Sequence, residues 1–110
     1  MAQTKQRIQK FKHEICYICK CNNKQRNKLV KILPDQVIRA ICDVIATIIY
    51  GKLGNKISEQ NRKKLRRHKN KLLKLADKKT SLKKKRAIIQ KGGGVLSSIG
   101  GFIDKILGLG

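Results

Sequence analysis

Thirteen of the fourteen bases within residues 62–86 set the first chemical question: Arg62, Lys63, Arg66, Arg67, Lys69, Lys71, Lys74, Lys78, Lys79, Lys83, Lys84, Lys85 and Arg86. They lie in the stretch Asn61 to Lys91, which holds fifteen Lys or Arg and a single acid, Asp77. The chemistry open to them is neutralisation of a polyanion, because a run of like charge repels itself until counter-charge is supplied. A merely solvated helix interleaves Glu with Lys at i, i+4, and here that interleaving is missing. The run therefore predicts contact with the phosphates of nucleic acid or with an anionic surface. His68, between Arg67 and Lys69, reads as a spacer on a DNA-facing helix.

A second set has metal-ligand character. His13, Cys16, Cys19 and Cys21 form H-x2-C-x2-C-x-C, and on a helix His13, Cys16 and Cys19 project near one side. A zinc finger needs a second ligand pair at a set distance. Only Cys42 remains, inside an apolar stretch, so these thiols are expected to serve as small buried apolar groups and no metal or other cofactor is expected. Bond-making sets are missing too. The six acids, Glu14, Asp35, Asp43, Glu59, Asp77 and Asp104, are scattered singly, and there is no phosphate loop or nucleophile elbow. The sequence predicts no enzyme.

The 110 residues suffice for one small domain. Net charge is +22, with +9 over 1–56, +13 over 57–91 and none over 92–110. At one charge per roughly 1.7 Å of duplex, +22 matches roughly 11 base pairs. With no Trp, two Tyr and two Phe, the platforms on which single-stranded bases stack are nearly absent. Backbone neutralisation is favoured over base reading. No run is long enough to span a bilayer, Arg39 and Asp43 breaking the longest. The start, MAQTKQRIQK, lacks the apolar core of a secretion signal, so reduced cysteines are expected.

The elements that must position these residues read as helices almost throughout. Ile8, Phe11, Ile15 and Ile18 make one face of a helix from about Thr4 to Lys20. A short helix runs from about Lys24 to Leu33, and Pro34 ends it and starts the next. That next helix, Asp35 to Tyr50, is the core candidate. Its Val37, Ile38, Ile41, Cys42, Val44, Ile45, Ile48 and Ile49 cover more than half its circumference, so it is buried on several sides or pairs with a second copy. Ser58 caps a basic helix, about Glu59 to Ala76, with a narrow seam of Leu65, Leu72, Leu73 and Leu75. After a break at Asp77 to Ser81, a last basic helix runs to about Gln90.

Gly92-Gly93-Gly94 reads as a flexible hinge. Beyond it, Val95, Leu96, Ile99, Phe102, Ile103, Ile106 and Leu107 recur at helical spacing, an amphipathic stripe that forms only against a surface. That surface is the chain's own core, a partner protein or a membrane interface. Deleting the tail is expected to leave nucleic-acid binding intact, since it removes no net charge.

The segment RKKLRRHKNKLLKLADKKTSLKKKRAIIQKGGG, Arg62 to Gly94, followed by an apolar tail, resembles small basic proteins of Maverick/Polinton-type DNA elements and the related adintovirus-like viruses. These in turn are similar to the adenovirus core protein X, or mu, a DNA-condensing peptide. The resemblance is carried by Leu65, His68, Lys69, Leu72, Leu75 to Lys79, Ser81 to Lys85 and Gln90 to Gly93. Lys10 to Glu14 and Asp35 to Ile41 resemble the same elements less specifically. The cysteine cluster is not part of that pattern, and the tail opens differently. The resemblance implies a virion core protein that condenses double-stranded DNA, at the host nucleus or the site of packaging, with the tail tethered to capsid protein or membrane.

The sequence thus predicts an all-α chain in three stretches: an apolar-core helical region over 1–56, basic DNA-binding helices over 57–91, and a glycine hinge with an amphipathic tail over 92–110. The helix over 35–50 is the candidate interface of a homo-oligomer. The competing classes are a membrane-active amphipathic protein, its bases on lipid headgroups, and a histone-like or other cellular nucleic-acid-binding module.

Overall fold

Helix α4, Asp35–Tyr50, is the element around which the others are arranged. The computed structural model describes residues 2–50, 58–91, 95–100 and 103. Those residues form helices and no strand, so the chain is all-α. Before α4 come α1 (Ala2–Lys10), α2 (Lys12–Lys20) and α3 (Asn23–Ile32). After it come α5 (Glu59–Arg67), α6 (Lys69–Ala76), α7 (Leu82–Lys91) and the short α8 (Ser97–Gly100).

The strong apolar pattern of α4 dictates its place. Val37, Ile38, Ala40, Ile41, Cys42, Val44, Ile45 and Ile48 are buried, against α1, α2, α6 and α7. Gln36, Arg39, Thr47 and Tyr50 mark its wet side. The surface that raised the expectation of a second copy is thus covered by the chain's own helices. Opposing layers are Ile15 and Ile18 of α2, Val30 of α3, Leu72 and Leu75 of α6, and Ile89 of α7. The radius of gyration, 12.6 Å, matches the roughly 13 Å of a compact chain of this length.

Local chemistry sets most helix ends. Asn22 Oδ1 accepts the Gln25 N–H at 2.8 Å, and Ser58 Oγ accepts the Asn61 N–H at 3.3 Å. Pro34 stops α3, and its carbonyl accepts the Val37 N–H at 3.0 Å to open α4. Two ends depart from expectation. The helix predicted over Thr4 to Lys20 breaks at Phe11, and the one over Glu59 to Ala76 breaks at His68. Both residues sit in the bridge region, at φ −108°, ψ 17° and φ −110°, ψ 19°. Neither break has a Pro or Gly beside it. Each lets two halves of one apolar seam reach different neighbours: α1 lies on α4 while α2 meets α8, and α6 lies on α4 while α5 meets α8.

Four residues of the tail belong to the core. Val95 and Leu96 are 1 % exposed, and Ile99 and Ile103 are 0 % exposed. Gly100 sits directly on α2. A Cβ there would stand 2.7 Å from the Cys19 carbonyl oxygen, closer than carbon and oxygen approach, so only glycine fits. Of the surfaces the stripe could have covered, these residues use the chain's own core. The hinge Gly92 to Gly94 and the tail residues Phe102, Ile106 and Leu107 lie outside the described residues. One apolar cluster therefore draws side chains from 1–56, 57–91 and 92–110 alike.

Candidate nucleic-acid interface

The apolar seam of each basic helix faces inward, and this turns the bases out. Leu72 and Leu75 anchor α6, and Ile89 anchors α7. Leu65 is the half-buried contact of α5, which buries no residue fully. Of the thirteen predicted contacts, Arg62, Lys63, Arg66, Arg67, Lys69, Lys71, Lys74, Lys78, Lys79, Lys83 and Lys84 are exposed. Glu59 reaches Arg66 at 3.5 Å across solvent, a contact of small worth. Exposed bases continue onto the first four helices at Lys10, Lys20, Lys24, Lys28, Lys31 and Arg39.

Two of the thirteen sit differently. Arg86 has only 23 % of its side chain exposed. It donates to the Val30 carbonyl at 2.6 Å and to Asp35 Oδ1 at 2.7 Å, pinning α7 to the end of α3 and the start of α4. That is the work of a fixed fork, which suits arginine. Lys85 is half-buried beside α4. Burial pushes the Cys42 thiol up to about 11 while the Lys85 charge pulls the other way. Burial likewise raises the Asp43 carboxyl, against the lowering pull of Arg7, Lys85 and Lys78. Arg7 binds that carboxylate at 3.0 Å and so holds α1 on α4.

Arg26 is 2 % exposed. Its Nε donates to the Ile18 carbonyl at 2.9 Å. Its Nη2 donates to the Cys19 carbonyl at 3.1 Å and the Cys21 carbonyl at 2.6 Å. These oxygens lie at the end of α2, where helical carbonyls have lost their partners. Arg26 therefore closes the C-terminus of α2 from inside the fold, with a charge of favourable sign for the helix dipole. Burial lowers its pKa, yet a guanidinium so basic stays charged at neutral pH.

The cysteine set follows the apolar reading. Cys16, Cys19 and Cys42 are buried thiols, Cys21 is half-buried, and His13 is exposed. Burial pushes the Cys19 thiol up to about 12. Protonated, apolar-packed sulfur is a poor metal ligand. Among the described residues no three of His, Cys, Asp or Glu gather as a ligand set.

The α6–α7 turn is tightly built. Asp77 Oδ1 accepts the Lys79 N–H at 2.9 Å, the Asp77 carbonyl accepts the Thr80 N–H at 3.2 Å, and Ser81 Oγ accepts the Lys84 N–H at 3.3 Å. Among the described residues no helix is long and apolar enough to cross a membrane. Comparison with protein-family models, curated proteins and solved structures returns no match.

Proposed function

We propose that this protein binds double-stranded DNA through its phosphates, without reading sequence, and condenses it. The observation that carries this reading is the outward set of twelve bases on and between α5, α6 and α7, the eleven named above with Lys64, within a stretch of 35 residues that holds two acids. Lysine and arginine at phosphates fix position on a duplex and release counterions, with no information about base sequence. The scale fits. Roughly 11 base pairs, the length that balances the net charge, span roughly 37 Å at about 3.4 Å each, and the longest dimension of the domain is 34 Å.

Condensation, beyond binding, follows from charge on more than one helix group. A duplex lying on α5 to α7 leaves the exposed charges of Lys24, Lys28, Lys31 and Arg39, and these can take a second duplex. The setting in a virion core, of an element of the Maverick/Polinton type, rests on the resemblance of Arg62 to Gly94. A membrane role draws less support, since Val95, Leu96, Ile99 and Ile103 are spent in the core.

Titration of the full chain into long duplex DNA is the test. Sedimentable particles are expected near charge equivalence, equally for AT-rich and GC-rich duplexes. Soluble complexes at every ratio, or strong preference for one sequence, would overturn the reading.

A further inference from the structure

Between the end of α6 and the start of α7 lies a cavity of about 510 Å³. Lys74 enters it from α6, Lys79 and Thr80 from the turn, and Lys84 from the first turn of α7, with Ala87 and Ile88 forming one wall. Three lysines from three elements thus line one open space. Asp77 also lines it, but one of its carboxylate oxygens is held by the Lys79 backbone N–H at 2.9 Å. Among the described residues Lys74, Lys79 and Lys84 form no ion pair. The walls are set before any ligand arrives, because the Asp77, Thr80 and Ser81 hydrogen bonds fix the turn. Preorganisation of this kind removes ordering cost from binding.

We infer that this cavity is a seat for one phosphodiester of a nucleic-acid backbone. The lysines and the Thr80 hydroxyl would hold the phosphate oxygens, and the Ala87 and Ile88 wall would take the apolar edge of the sugar. The inference rests on the DNA reading and goes beyond it, because it ranks the contacts. Binding is focused at this turn, and bases elsewhere add mainly to the long-range field. A second basic cavity, of about 260 Å³ beside Lys10 and Arg39, lacks this arrangement because its Arg7 is committed to Asp43.

Two full-length variants that lose equal charge decide it. K74Q/K84Q is expected to weaken duplex affinity at least tenfold and to lower the salt slope by about 0.9, the worth of the one phosphate the seat holds. K24Q/K28Q on α3 is expected to weaken it less than threefold. All four lysines are exposed, so both variants keep the fold, which circular dichroism checks. Equal loss in the two variants would overturn the seat while leaving the DNA reading intact. Absence of salt-dependent binding by the unmodified chain would instead sink the DNA reading. Duplex DNA and duplex RNA are tested in parallel, and the seat stands only if the polymer that binds shows the selective loss. Titration with inorganic pyrophosphate, followed by amide resonances, should move Lys79, Thr80 and Lys84 first. Shifts spread evenly over the exposed lysines would contradict the seat.

Discussion

Deletion of residues 95–110 is expected to unfold the domain. Val95, Leu96, Ile99 and Ile103 are each at most 1 % exposed. Burying such a side chain contributes about 1.5–3 kcal/mol, so the four together contribute about 6–12 kcal/mol as an upper estimate. A domain of this size has a total stability of about 5–15 kcal/mol. The deletion also uncovers the parts of α2 and α5 that α8 meets. Loss of the cooperative urea transition, with a fall in helical circular dichroism, is the expected result. A transition retained at the full-length midpoint would show that the tail is peripheral. The charge argument alone had DNA binding surviving this deletion untouched. With those four residues in the core, the truncated chain keeps its charge but loses the arrangement that aims it.

Arg26→Met carries the next largest expected effect, a loss of about 3 kcal/mol. Methionine replaces much of the aliphatic stem but none of the donors. The Ile18 and Cys19 carbonyls then lose a charged partner in a buried place, the Cys21 carbonyl in a half-buried one, and a buried acceptor left unsatisfied costs about 1–3 kcal/mol. Arg26→Lys should recover only part of this, since one ammonium on a flexible stem cannot reproduce the fork. Urea unfolding at neutral pH measures both variants. A loss below about 1 kcal/mol for Arg26→Met would mean that water or backbone shifts can replace the guanidinium.

Arg26 also marks where sequence reading stops. Its code letter is the same as that of Arg62 or Arg67, and charge counting does not tell them apart. Only the three-dimensional end of α2 distinguishes it. Elements announced by local chemistry were legible: the bounds of α4 follow from Pro34 and a dense apolar pattern, and the start of α5 follows from Ser58. The breaks at Phe11 and His68 were not legible, because tertiary packing makes them and no Gly or Pro marks them. The tail stripe said that an apolar face had to be covered, and no pattern along the chain could say by what. The outward bases on α5 to α7 were legible, since a run without interleaved acid has nowhere else to go. The cavity at the α6–α7 turn was not, because it depends on how α6 and α7 pack together.

The salt dependence of duplex binding tests the central claim most directly. Affinity of the full chain for a random duplex is measured from about 50 to 200 mM salt, a range over which phosphate contacts lose strength steeply. Each contact contributes a slope of about −0.9 in log affinity against log salt, so half a dozen contacts give a slope of about −5. A slope of −4 or steeper on this scale, alike for unrelated sequences, is the expected result. A slope near −1, the worth of about one phosphate, would contradict a surface built to neutralise DNA.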